Sequence, residues 1–326
     1  MESVIITGGQ GFIGSWVARE LLLGEKKYNV VIVDVKPDDH ILKQVLTTDQ
    51  LTRIQCHYID IANTAQVNQL VQTVQPAFIV HLAGLQIPTC RTNPILGAQV
   101  NVIGTLNVFE AVRQLPNKCP IIYASSAAVS GPSEDYDGPV TDTAHHHPLT
   151  HYGVFKQANE GSARVFWMDH RIPSVALRPF TVYGVGREVG VTSSPTKAIK
   201  AFLLERDYVI PFSGPLCVNY VEDIARLFIE LGRCKLEGAY TCNIKGDVLD
   251  VQDWVTMVKQ LKSQQPTTIK VEGGKLPFPT SFTEETLAKL LGDERIKTTP
   301  PNIGIKKTYD LFLSLQQQGL LDSRDL

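Results

Sequence analysis

In the first half of the chain, short apolar runs rich in β-branched residues are separated by longer stretches with helical periodicity. Residues 4–7, 30–33, 54–59, 78–83, 121–125 and 174–177 read as strands. Between them, Phe12–Leu23 reads as a helix ending at Gly24, and Thr64–Val74 as a helix with Thr64 as N-cap and Pro76 beyond its end. Residues 94–115 open on proline and read as a long helix, and residues 152–170 as another. Strands that are apolar throughout are buried on both faces, so this order predicts a parallel sheet covered by helices on each side.

After Arg178-Pro179 the rhythm loosens. Helical stretches at 221–231 and 251–261 flank a strand at Ala239–Asn243, and Pro277, Pro279, Pro300 and Pro301 punctuate the tail. The expected organisation is a dinucleotide-binding unit over residues 1–178. Residues 179–326 then add two more sheet elements and a small substrate lobe.

The first strand runs into Thr7-Gly8-Gly9-Gln10-Gly11-Phe12-Ile13-Gly14. This satisfies Gly-x-x-Gly-x-x-Gly at 8, 11 and 14, and Gly-x-Gly-x-x-Gly at 9, 11 and 14. Glycine permits the tight turn and lets the backbone approach a pyrophosphate, while the following helix N-terminus offers free N–H groups. Asp34 closes the second strand, where a carboxylate binds ribose hydroxyls and disfavours a 2′-phosphate. The expected cofactor is therefore NAD rather than NADP, on a doubly wound Rossmann-type sheet.

Tyr152 and Lys156 lie four apart, on one face of the predicted helix. A phenol that moves protons near neutral pH must drop from about 10 to ~7, roughly 4 kcal/mol in favour of the phenolate. A neighbouring ammonium is suited to supply much of it.

Together these residues resemble the extended short-chain dehydrogenase/reductase family, in its NAD-dependent epimerase/dehydratase group. The likeness spans most of the chain. It rests on the glycine loop, Asp60-Ile61, His81-Leu82-Ala83-Gly84, Asn101-Val-Ile-Gly-Thr105, Ser125-Ser126-Ala-Ala-Val, Tyr152-x-x-x-Lys156 and Arg178-Pro179-Phe180. The resemblance implies that Asp60 and Ile61 meet the adenine. Leu82, Ala83, Gly84 and Asn101 would border the cofactor, and Phe180 to Val182 would lie near the nicotinamide. It implies Ser126 as the catalytic serine hydrogen-bonded to the substrate oxygen, and Tyr152 as acid/base. Lys156 would lower the tyrosine pKa and hold the nicotinamide ribose. A homodimer through the helices at 94–115 and 152–170 is a further implication.

The chain also departs from that pattern. Sugar-nucleotide members carry arginines that grip a diphosphate, whereas Leu216-Cys217-Val218-Asn219 and Leu276-Pro277-Phe278-Pro279 contain none. Ala127-Ala128 replace the Asp-Glu pair of dehydratases, which sets net dehydration aside. The substrate pocket is expected to draw on Gln86, Ser126, Arg187, Thr192, Ser193 and Tyr220. Arg187 reads as a ligand for a carboxylate or phosphate, or as a solvated loop arginine. The hydroxyl-rich run at 192–194 suits a polyhydroxylated ligand or a helix N-cap at Ser194-Pro195. The expected activity is hydride movement at a secondary alcohol of a sugar or sugar acid. The alternatives are a nucleotide-sugar epimerase with an atypical diphosphate site, or a non-catalytic NAD(H) sensor.

Composition narrows this further. With 31 Lys+Arg against 33 Asp+Glu, a net charge of −2 and no long basic run, nothing marks a nucleic-acid footprint. The six cysteines form no Cys-x-x-Cys pair and read as reduced thiols of a cytoplasmic protein. No signal peptide is read, and no apolar run is read as a membrane span. His145-His146-His147 reads as a solvated loop rather than a metal site.

Overall fold

The computed structural model describes residues 1–262 and 266–326. Its strands are β1 (Ser3–Thr7), β2 (Asn29–Asp34), β3 (Ile54–Tyr58), β4 (Phe78–His81), β5 (Ile121–Ala124), β6 (Ser174–Arg178), β7 (Thr181–Tyr183), β8 (Tyr208–Ile210), β9 (Pro215–Tyr220), β10 (Ala239–Asn243), β11 (Asp247–Asp250) and β12 (Ile269–Val271). Seven of them form the central sheet in the order β10-β6-β5-β4-β1-β2-β3. Every pairing in it is parallel. Chain order reverses between β1 and β4, and such a switch point leaves a crevice beyond the carboxyl ends of the strands.

Alternate side chains of the same strands feed two cores. Val4, Ile6, Val30, Ile32, Phe78 and Val80 point to one face, against the helices Phe12–Leu23 and Val221–Arg233. Ile5, Val31, Val33, Ile79 and Ile121 point to the other, against Thr64–Val74 and Gly104–Arg113. This double burial is why the strands are apolar at every position rather than at every second one.

The predicted first-half strands and helices all form, with shifts at their ends. Asn63, not Thr64, caps the helix Thr64–Val74: its Oδ1 accepts from Gln66 N at 3.1 Å, while the Thr64 hydroxyl donates to Asn107. The helix expected at 94–115 is broken into Pro94–Ala98, a π turn at Gln99–Ile103 and Gly104–Arg113. Pro94–Arg113 is long and apolar enough to cross a membrane, a stretch the sequence reading did not mark, and half of it is buried within the fold.

The second half contributes one strand, β10, to the central sheet, not the two expected. β11-β9-β7 form a separate sheet and β12-β8 a pair. The helix Pro301–Gln317 was not anticipated as an element, while Ser194–Leu203 begins where Ser194-Pro195 offered a helix start. Residues 179–326 share the larger core with residues 1–178, so packing crosses position 178.

Candidate active site

A cavity of about 570 Å³ opens at the carboxyl ends of β1, β4 and β5, within the size range of cofactor and ligand sites. Gly8, Gly11, Phe12, Ile13 and Gly14 line one end. Gly8 has φ +66°, and a Cβ there would meet Ala83 N at 2.8 Å; one on Gly14 would meet Gly8 O at 2.4 Å. The helix Phe12–Leu23 starts at Gly11 with no side-chain cap, so its first-turn N–H groups stay free. A bare backbone cradle at an uncapped helix N-terminus fits a dinucleotide pyrophosphate.

Asp34, Asp60, Ile61, Leu82, Ala83, Gly84, Phe180 and Val182 line the same cavity. Asp34 accepts from Val35 N at 2.9 Å and Gln10 N at 3.2 Å. Burial nonetheless raises its pKa above the ordinary value. Below the floor, the Thr7 hydroxyl accepts from Leu82 N and Ala83 N, each at 3.2 Å, and sits 2.6 Å from His81 Nδ1. Thr105 donates its one hydroxyl proton to Asn101 O at 2.7 Å, so it accepts from His81 Nε2 at 3.0 Å. His81 is thus a neutral imidazole with its proton on Nε2, and burial, then Lys156, bring its pKa down to about 3. Asn101 does not line the cavity. From the π turn its Oδ1 accepts from Leu85 N at 2.8 Å and its Nδ2 donates to Leu85 O at 3.0 Å, holding the segment above.

Ser126, Tyr152 and Lys156 converge at the far end. Ser126 is extended, with φ −164°, and its Oγ accepts from Ala128 N at 3.1 Å. Ser125 also borders the cavity, but its hydroxyl is spent on Glu160 Oε1 at 2.6 Å. Lys156 donates to Ala124 O at 2.6 Å, and its Nζ lies 5.5 Å from the Tyr152 ring centre. Burial raises the phenol pKa; a hydrogen bond from Ser126 and the charge of Arg187 pull it down. Burial also lowers Lys156 to about 8. Around the phenol, the groups that oppose burial are Ser126 and Arg187.

Glu160 ties this end to the sheet. Arg178 grips it with Nε at 2.8 Å and Nη2 at 2.6 Å, and donates onward to Asp142 O and Asn243 Oδ1. His146 lies 2.8 Å from Arg178 Nη2, and burial, then Arg178, lower its pKa, so it accepts as a neutral ring. The histidine run is therefore not uniformly solvated: His146 belongs to a buried network, His147 pairs with Asp135 and His145 stacks on Tyr136.

Of the remaining expected residues, Gln86, Arg187 and Thr192 line the cavity, and Ser193 and Tyr220 do not. Ser193 Oγ is spent on Gly190 O at 2.9 Å. Tyr220 is 4% exposed in the core, 5.4 Å from Tyr183 and 6.3 Å from Trp16 between ring centres. Phe278 reaches the cavity from the tail and packs edge-on to Phe180 at 6.2 Å. Sequence reading considered its segment only for lacking arginine. Outside the cavity, ligand atoms of His40, Glu188 and Asp322 cluster. His40 is already bonded to Asp38 at 2.7 Å and Glu188 at 2.8 Å.

A Rossmann sheet whose glycine cradle faces a Ser-Tyr-Lys constellation defines a nicotinamide-dependent protein of the short-chain dehydrogenase type. The sequence profile of the NAD dependent epimerase/dehydratase family matches residues 4–233, and the chain belongs to that family. NAD is the family's cofactor, and the Asp34 carboxylate at the second strand's end agrees with it.

The chain is 26% identical over 217 residues to the UDP-glucose 4-epimerase of Mycoplasma genitalium, covering 64% of this chain and 62% of that protein. The match thus spans about three fifths of that relative. It is 25% identical over 277 residues to the D-erythronate dehydrogenase of Haemophilus influenzae, covering 80% and 82%. In fold it is similar to UDP-glucose 4-epimerase of Thermotoga maritima solved with UDP-glucose, with a TM-score of 0.81 at 21% identity over 96% of this chain and 99% of that one.

Proposed function

We propose that this protein is an NAD-dependent oxidoreductase or epimerase acting at a secondary alcohol of a sugar or sugar acid. The observation that carries it is the meeting of Ser126, Tyr152 and Lys156 at one end of a cavity whose other end is the glycine cradle. NAD, when bound, accepts or returns the hydride of the carbinol carbon. The protein's own groups handle the proton and the geometry. The Ser126 hydroxyl, held toward the cavity, hydrogen-bonds the substrate oxygen. Tyr152 takes the alcohol proton as the carbonyl forms and returns it in reduction. Lys156 and the Ala124 carbonyl anchor the ribose side, and Phe180 with Phe278 forms an apolar wall that excludes water.

Relatives named as a 4-epimerase and as a dehydrogenase leave both fates of the hydride within this reading. An epimerase retains its nucleotide through turnover and a dehydrogenase releases it. The proton role is tested by Tyr152→Phe, which should lower turnover at least ~100-fold while NADH affinity stays within a few-fold. Turnover within a few-fold of the parent would refute it.

The reading extends to assembly and compartment. Ile95, Ile103, Val154, Val165 and Met168 are exposed apolar residues on two packed helical stretches, which supports a homodimer formed through them. The free cysteines fit a reducing cytoplasm.

A further inference from the structure

Two basic side chains line the cavity among the described residues, Lys156 and Arg187. Lys156 is committed to the Ala124 carbonyl. Arg187 is not committed to any acid. Its Nη2 donates to Thr192 Oγ1 at 3.2 Å, its guanidinium lies 5.8 Å from the Phe12 ring centre, and its Nε is buried without a partner. Glu188, next in sequence, points away to His40 and Gln44. Arg187 is half-buried at the cavity wall, and a guanidinium whose Nε is shut away from solvent with no carboxylate beside it is costly unless something anionic completes it.

The loop is shaped to hold that head group in place. Gly186 and Gly190 have φ +93° and +110°. A Cβ on Gly190 would stand 2.2 Å from Gln86 Oε1 and 3.2 Å from Arg187 Nη2, so both side-chain ends lie over this bare, positive-φ glycine. Arg187, Gln86 and Thr192 line the same cavity as Ser126 and Tyr152.

A diphosphate spreads its charge over several oxygens and calls for more than one cation. A single planar guanidinium flanked by a hydroxyl and an amide matches one carboxylate, gripped by two parallel N–H donors. Resting on the oxidoreductase reading above, we infer that the substrate is a hydroxy acid, its carboxylate held by Arg187, Thr192 and Gln86 while a carbinol near that carboxylate meets Ser126 and Tyr152. The substrate class is thus a free polyhydroxy acid rather than a neutral sugar or a nucleotide sugar.

The test is calorimetric titration of the NADH-loaded protein with D-gluconate and D-threonate, beside D-glucitol and UDP-glucose. At least one acid should bind at least about tenfold more tightly than D-glucitol. Arg187→Met should weaken that acid by at least about 30-fold, the loss of a charge-assisted pair. Arg187→Lys should recover part of the loss, since it restores charge but not the fork. NADH affinity, measured in the same samples, should remain within about threefold. The inference is overturned by D-glucitol binding as well as the acids, by neither acid binding, by acid binding unaffected in Arg187→Met, or by UDP-glucose binding in preference. Failure of the parent protein to bind NADH would instead overturn the cofactor reading beneath it.

Discussion

Replacing Lys156 with methionine should make the protein more stable as it abolishes activity. The amine is 6% exposed and its pKa is lowered by burial from 10.5 to about 8, with Cys90 and Glu160 opposing without cancelling the effect. Between those two values the unfolded chain binds the proton and the folded chain does not, so stability rises with pH across that window. Below pH 8 the folded state carries the full penalty. At about 1.4 kcal/mol per pH unit, the gap between 10.5 and about 8 corresponds to roughly 3 kcal/mol. Methionine removes the charge but leaves Ala124 O without its donor, a cost of ~1–2 kcal/mol. A net gain of about 1–2 kcal/mol is expected at pH 7, a rise of a few degrees in Tm for a chain of this size. The advantage should shrink as pH rises toward 10.5, because the parent gains what the variant already has. Thermal unfolding of both proteins, stripped of nucleotide, at pH 6.5 to 9.5 reads this directly. A variant less stable than its parent at pH 7, or a difference that does not narrow with pH, would refute the reasoning.

Two glycines give a paired contrast. A methyl at Gly14 meets Gly8 O at 2.4 Å and Gly9 Cα at 2.7 Å, both backbone, whereas one at Gly161 meets nothing within 4 Å. Gly14→Ala must push the helix start off the cradle, costing ~1–3 kcal/mol of stability and at least about tenfold in NADH affinity by fluorescence titration. Gly161→Ala, inside His151–His170, should stabilise by ~0.5–1 kcal/mol with unchanged NADH binding; equal behaviour of the two would sink the argument. For the assembly, Val165 is 44% exposed on the same helix, so Val165→Glu should convert a dimer to a monomer in light scattering at micromolar concentration. A dimer of unchanged affinity would remove that face from consideration.

What was legible in the sequence was what local rules decide. Phe12–Leu23 and Ala239–Asn243 fall where periodicity placed them, because each buries a regular stripe or run. The glycine loop needed no alignment to interpret, since its function is carried by backbone geometry that only glycine allows. The π turn at Gln99–Ile103 was not legible: an extra residue per turn leaves the apolar pattern nearly intact. Yet it carries Asn101, whose bonds to Leu85 shape the cavity edge. Tyr220 shows the opposite error. It follows Asn219 in a segment expected to reach substrate, but the aromatic partners Trp16 and Tyr183 lie far away in sequence and take its ring into the core.

Arg187 shows most clearly why the reaction was easier to read than the substrate. A cofactor cradle and a Tyr-Lys pair are defined by what is present within a few residues. An anion site is defined by what is missing around a cation, and that is settled by the whole fold. In the sequence Arg187 has Glu188 beside it, and a solvated loop arginine stood as one of its readings. The fold separates the two. The helix His40–Val45 captures Glu188 through His40 and Gln44. The positive-φ glycines at 184, 186 and 190 shape the loop that carries the arginine over Phe12 and into the cavity wall. If Arg187 holds the substrate's carboxylate, substrate choice would depend on a helix some 140 positions upstream that lies outside the cavity lining. It keeps the arginine's natural partner occupied elsewhere.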